Sequence, residues 1–409
     1  MFWSNTCPGN RMREKLNPYF AALADSSAND FTRYGEGCDW LSWADPFYPE
    51  SKLPQHIYDA CIEALDGPGA HYTLPMGLEP LRYEIACKLN RVNGLDVDAL
   101  KNLFIVGGSD TCLFYAMMPF ITPGAGDEVL LFTPSYMGNF SDVLLLGAVI
   151  NEVELDAQRD YAIDFAKLEA AVTEKTKLLV LTNPNNPTGR SHSREELLQL
   201  AAFVERHDLA VVVDQAFEDC VFEGNEMVTF AALPGMFERT TTVFTTSKGM
   251  ALCGFRVAYI VSSERFSSAY QKACVAVCGA PNTVAQYGAL AAFRNLDFLK
   301  SYVKIYQDRT LRSWEMLQNI PGVRCHKPQA GYFLWIDVSG LGKVDAVLDY
   351  LAQEAKVVLT GGSGFGSLGK DHMRLITVSL NDDEKYYDAI NRLRVALEKR
   401  SQQRYNITE

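Results

Sequence analysis

Short apolar runs recur along this chain from Asp96 onward, each followed by polar residues and then by a helical pattern. Leu103 to Val106, Glu128 to Phe132, Lys177 to Thr182, Leu209 to Asp214, Thr241 to Thr246 and Arg256 to Val261 all have this form. Runs that are apolar on both faces and alternate with helices predict a mostly parallel sheet covered by helices on each side. Ahead of them the chain is irregular and rich in aromatics and proline, up to a first helical pattern near Pro54 to Leu65. That stretch reads as an arm packed on another part of the molecule. After Asn295 a long helix over about Leu299 to Gln318 precedes apolar runs at Gly331 to Val338, Val357 to Thr360 and Met373 to Val378. This change predicts a smaller α+β lobe, ending in a polar tail that frays from Lys399. The expected division is an arm over 1–49 belonging to the small lobe, a large lobe over 50–298 and the rest of the small lobe over 299–409.

A length of 409 residues accommodates two lobes with a deep site between them. The formal net charge of -12 argues against nucleic acid or an anionic membrane as a partner. Ten cysteines lack CxxC or His/Cys metal spacing, so they read as reduced thiols of a cytoplasmic protein with no bound metal. No stretch is apolar enough to span a bilayer, and the first residues lack a signal-type pattern.

Chemistry is expected where the apolar runs end, because ligands of open α/β sheets collect beyond the carboxyl ends of the strands. Five motifs occupy such positions: Gly107-Gly108-Ser109-Asp110-Thr111, Pro134-Ser135-Tyr136, Asn183 through Gly189, Asp214-Gln215-Ala216-Phe217, and Ser247-Lys248. Gly107 and Gly108 can bring backbone N–H groups against a phosphate at a helix N-terminus, although such glycines also serve steric needs alone. Asp214 ends a fully apolar run, and a carboxylate carried there needs a partner such as a protonated pyridine nitrogen; a helix-capping aspartate is the plainer reading of that residue taken alone. Lys248 can condense with an aldehyde and later serve as a general base, and Arg256, eight residues on, can clamp a phosphate at two points.

These motifs together resemble those of the fold type I enzymes that use pyridoxal 5'-phosphate, within the class I/II aminotransferase group. The most specific matches are Asn186-Pro187-Thr188-Gly189 and Ser247-Lys248 followed by Gly254-x-Arg256, and the likeness covers nearly the whole length. The resemblance implies a mostly parallel seven-stranded sheet in a large domain plus a small α+β domain. It implies that an L-amino acid gives its amino group to a 2-oxo acid, through a Lys248 Schiff base and a quinonoid. In that reading Asp214 meets the ring nitrogen, Asn186 the phenolic oxygen, and Tyr136 stacks on the ring. Gly108, Ser109, Asp110, Thr245 and Arg256 surround the phosphate. His71-Tyr72-Thr73 resembles the stretch whose tyrosine reaches the phosphate of a neighbouring subunit, which implies a homodimer; core packing is the alternative for Tyr72. Arg374, in Met373-Arg374-Leu375, would grip the substrate carboxylate with Asn186 and Ala44 nearby.

Two positions depart from the family pattern. Phe217 stands where many relatives have a tyrosine whose hydroxyl donates to the phenolic oxygen, so Asn186 is left to serve that oxygen alone. Ala44 stands where glycine is common in the substrate-covering arm. The same scaffold also supports lyases, decarboxylases, cyclases and oxidases, so an amino-acid lyase or decarboxylase is the alternative to transamination.

Overall fold

The computed structural model describes residues 37–48 and 52–408. Its strands, in chain order, are β1 (Asp39–Trp40), β2 (Leu103–Val106), β3 (Glu128–Thr133), β4 (Val149–Glu154), β5 (Thr176–Thr182), β6 (Ala210–Asp214), β7 (Thr240–Thr245), β8 (Ala258–Ser262), β9 (Arg324–Cys325), β10 (Phe333–Asp337), β11 (Val357–Val358), β12 (Thr360–Gly361) and β13 (His372–Ile376). Seven of them form one sheet in the order β2-β8-β7-β6-β5-β3-β4, in which β8 alone runs antiparallel to its neighbours. The fold is therefore the α/β class with a large, mostly parallel sheet that the alternation of runs and helices predicts.

Successive residues of the central strands serve opposite faces of this sheet. Leu130, Phe132, Leu179, Leu181, Val211 and Val213 pack on one side. Val129, Leu131, Leu178, Val180 and Val212 pack on the other. This period of two explains why the sequence shows unbroken apolar runs: both faces are core, and each buried aliphatic side chain contributes roughly 1.5–3 kcal/mol.

A second, antiparallel sheet has the order β12-β13-β10-β9. Its core joins Leu334, Ile336, Met373 and Leu375 to Leu41 of the arm and Leu397 near the chain's end. The arm is fixed there by β1, which pairs in parallel with β11.

Several sequence expectations are corrected. Strand β4 is absent from the apolar runs because it is an edge strand whose Val149 and Glu152 are exposed. The run read from Arg256 begins two residues later, since Arg256 itself has φ 54° and ends the preceding turn. Val357 to Thr360 is split between β11 and β12, which belong to different sheets. The tail from Lys399 does not fray into coil: one helix runs over Asp383–Thr408, and Ala396, Leu397 and Ser401 are buried. The glycine-rich segment before Arg374 is packed, and a Cβ on Gly362 would lie 2.3 Å from the Gly369 carbonyl oxygen.

Candidate active site

The polar motifs at the strand ends converge on a cavity of about 450 Å³ beyond the carboxyl ends of β6 and β7. Lys248, three residues after β7, has its ammonium 3.2 Å from the Ala44 carbonyl oxygen and 5.9 Å from the centre of the Phe217 ring. Burial, together with the nearby Arg374 and Arg256 guanidiniums, pushes its pKa below the ordinary lysine value. The amine therefore gives up its proton more readily than that of an exposed lysine.

Asp214, the last residue of β6, is 4% exposed, and its Oδ1 accepts a hydrogen bond from the Ala216 N–H at 3.1 Å. Burial raises its pKa to about 6; that N–H and the charge of Lys248 offset the rise only in part. A cation brought against this carboxylate would recover the electrostatic cost of burying it.

On the other side of the cavity Asp110, in the first turn of the helix Ser109–Met117, accepts from the Tyr136 hydroxyl at 2.7 Å and from Arg256 at 3.2 Å. Gly108 has φ 97°, and a Cβ there would stand 2.2 Å from the Arg256 guanidinium. Glycine is therefore required for the arginine to lie against the start of this helix, where backbone N–H groups and a guanidinium together suit an anion. Gly108 and Thr245 border the cavity without lining it: the Thr245 hydroxyl is engaged with Ser247 Oγ at 2.9 Å.

Arg374 reaches the cavity from β13. It is 7% exposed and donates to Asn186 Oδ1 at 2.9 Å and to the Ser42 carbonyl at 3.4 Å, while its Nε has no hydrogen-bond partner among the described residues. Burial lowers its pKa to about 10, so it stays charged at neutral pH. A buried guanidinium that lies over the Phe365 ring at 4.9 Å and donates to neutral oxygens is prepared for a carboxylate. Asn186 is held by its own loop: Asn185 Nδ2 donates to the Pro134 carbonyl at 3.1 Å, and the Thr188 hydroxyl to Asn185 Oδ1 at 2.7 Å.

Of the residues expected from the sequence, Ala44, Ser109, Asp110, Tyr136, Asn186, Asp214, Lys248, Arg256 and Arg374 line this one cavity. Tyr72 does not: it is 93% exposed, which excludes the core-packing alternative for it within the described residues. Ser42, Asp45 and Cys253 line the cavity without having been singled out. Ala44 takes part through its carbonyl oxygen, which also accepts from the Tyr332 hydroxyl at 3.3 Å, and no side-chain pattern signals such a role. The arrangement suits a flat cationic ring bearing an anionic group, with Asp214 at one end and Arg256 at the other. An under-partnered Asp214 and a glycine-dependent anion seat both fit pyridoxal 5'-phosphate.

Comparison with known proteins gives the same picture. The model of the family described as aminotransferase class I and II matches residues 39–393. An aspartate aminotransferase of Musicola paradisiaca is 31% identical over 334 residues, 81% of this chain and 82% of that protein. Aromatic-amino-acid aminotransferase 2 of Thermococcus litoralis is 29% identical over 363 residues, 86% of this chain and 90% of its own. The solved aromatic aminotransferase of Pyrococcus horikoshii matches with a TM-score of 0.85 at 27% identity, covering 94% of this chain and 98% of that one. The Thermus thermophilus aspartate aminotransferase solved with maleate has a TM-score of 0.84 at 26% identity, covering 93% and 99%.

Proposed function

The chain belongs to the class I and II aminotransferase family and is an aminotransferase; from that premise we propose that it works with pyridoxal 5'-phosphate seated between Asp214 and Arg256. Its substrates are an L-amino acid and a 2-oxo acid. The observation that carries this reading is the convergence of Lys248, Asp214, Arg256 and Arg374 on one cavity. The aminotransferase names of the relatives favour transfer over the lyase alternative.

When bound, pyridoxal phosphate supplies a carbonyl for an amine and a protonated ring that accepts the electron pair left on a substrate carbon. Asp214 would hold the ring proton, and its pairing with that cation would return its pKa toward the usual carboxylate range. Arg256, Ser109 and the N–H groups opening the helix Ser109–Met117 would hold the phosphate, with Gly108, Asp110 and Thr245 shaping the seat. Tyr136 would cover one face of the ring, its hydroxyl already fixed by Asp110. Lys248, its pKa lowered chiefly by burial, would take and hold a proton from the substrate Cα on Nζ. Arg374 and Asn186 would hold the substrate carboxylate and so fix the Cα bonds relative to the ring. Ala44 would receive Lys248 through its carbonyl oxygen.

The same proposal includes a cytoplasmic homodimer. Exposed Tyr72, Leu74, Val275 and Val277 support it, since apolar groups of this size gain by a partner surface. The segment carrying Tyr72 and Leu74 is tied to the helix Thr283–Arg294, where Thr283 Oγ1 donates to the His71 carbonyl at 2.6 Å. The described cysteines are free, in keeping with a reducing compartment. No helix among the described residues is long and apolar enough to cross a membrane. We assign the large domain to 50–298 and the small one to 299–409 with the arm over 1–49, of which 1–36 and 49 lie outside the described residues; the core that Leu41 shares with Leu317 and Leu397 supports the division for the described part.

The test is a half-reaction. Protein loaded with pyridoxal phosphate is mixed with pooled amino acids and no oxo acid, and products are identified by mass spectrometry. Pyridoxamine phosphate and a matching 2-oxo acid are expected. Unchanged cofactor with release of carbon dioxide, ammonia or a cyclised product would overturn the reading in favour of the lyase alternative.

A further inference from the structure

Six formally charged side chains line the cavity: Asp45, Asp110, Asp214, Lys248, Arg256 and Arg374. Five of them have partners or assignments on the reading above. Asp110 is engaged by Tyr136 and Arg256, and the other four meet the cofactor or the substrate carboxylate. Asp45 is left over. Among the described residues its carboxylate accepts only from the Cys253 thiol, at 2.7 Å, and no cation pairs with it. A thiol is a weak donor that orients a carboxylate without neutralising it.

Among the described residues of this chain, the cavity lining holds no further cation for a second substrate carboxylate, and the rest of it includes the apolar side chains of Trp43, Leu113, Met137 and Phe217. An adjoining chamber of about 230 Å³ shares Asp45, Cys253 and Gly254 with it. Lys52 belongs to that chamber, with its ammonium 4.8 Å from the centre of the Phe47 ring. Lys52 lines that adjoining chamber and not the cavity itself, and Asp45 lines both.

We propose that Asp45, oriented by Cys253, is a specificity-determining residue that selects amino donors with neutral or cationic side chains and disfavours aspartate and glutamate. The proposal rests on the aminotransferase reading of the cavity and narrows its substrate class. A carboxylate entering this partly solvated space meets a like charge with no cation among the described residues paired to offset it, whereas an amine, amide or hydroxyl gains an acceptor. Similarity to proteins named for aspartate does not transfer their donor, because discrimination depends on the charges in the pocket rather than on the shared scaffold.

Two measurements decide the matter. In the first, cofactor-loaded protein receives equal concentrations of aspartate, glutamate, leucine, glutamine and lysine, and the 2-oxo acids formed are quantified. Neutral or cationic donors are expected to lead the acidic ones by about tenfold or more in kcat/KM, and Asp45→Asn to shrink that lead by about tenfold, the scale of one like-charge contact in a partly solvated site. Asp45→Glu should retain the preference. Aspartate or glutamate as the best wild-type donor, or a preference that Asp45→Asn leaves unmoved, overturns the proposal. In the second, tryptophan fluorescence reports binding of succinate and of butyrate to the same proteins. Butyrate is expected to bind the wild type more tightly, and Asp45→Asn to erase the difference. If no donor yields a 2-oxo acid, the aminotransferase reading fails by itself, and the succinate-to-butyrate ratio decides the role of Asp45: an identical ratio in Asp45→Asn overturns it.

Discussion

Asp214 and Glu196 are both buried carboxylates on the large sheet's side of the molecule, 4% and 9% exposed, yet their surroundings push them in opposite directions. Burial would raise the pKa of Glu196, but His192 at 3.1 Å, the Ile163 N–H at 2.6 Å and Arg190 at 3.0 Å outweigh it and hold the carboxyl at about 2. Asp214 has the Ala216 N–H at 3.1 Å as its direct donor, and burial carries it up to about 6. An acid whose demand for charge is met locally belongs to the scaffold. One left short of a cation at a strand end, beside a lysine, marks where a ligand completes the electrostatics.

The sharpest way to break this contrast is to remove the amine beside the unmet acid. Lys248→Ala should lower turnover by about a thousandfold or more, read from 2-oxo acid formation, with fold and melting temperature retained. Asp214→Asn should cost about a hundredfold in turnover while making the cofactor-free protein more stable, on the order of 2 kcal/mol at pH 8. The sign follows from the raised pKa: the stability tied to Asp214 is full below about pH 4 and is lost as pH rises through about 6. The advantage of the asparagine variant should therefore grow across that window in denaturant unfolding; a constant difference would contradict it.

Glu196→Gln should behave in the reverse sense. Its pKa is depressed, so its stabilisation is present above about pH 4.5 and lost as pH falls through about 2. The variant should lose about 2–3 kcal/mol at pH 7, with the deficit closing on acidification and turnover within about threefold of wild type. The smallest effect concerns Phe217, which packs edge-on against Tyr332 and Phe333 at 5.2 and 5.0 Å. Phe217→Tyr should lower the pKa of the cofactor absorbance change by restoring a donor to the phenolic oxygen; an unchanged or higher value contradicts that expectation.

The cofactor half of the site was legible in the sequence because topology alone places it. Asp214, Lys248, Asn186 and Ser109 each follow an apolar run, and the parallel arrangement of those runs brings their ends together. The substrate half was only partly legible. Asp45 and Cys253 meet across 208 positions of sequence, and that meeting depends on β1 pairing with β11, two strands of two residues each. The edge strand β4 escaped because Asn151, Glu152 and Glu154 break up its apolar residues, and the last helix was misjudged because Leu393, Leu397 and Ser401 bury a narrow stripe beneath a charged surface.

The antiparallel return from β7 to β8 keeps Lys248 and Arg256 on one short stretch of chain, whereas Arg374 arrives from a different sheet and Asp45 from the arm. On the proposed reading, reaction and diet are thus inherited on separate pieces of the molecule. A lineage built on this plan can drift in its arm and acquire a new amine to consume, while the piece that performs the chemistry passes on unaltered.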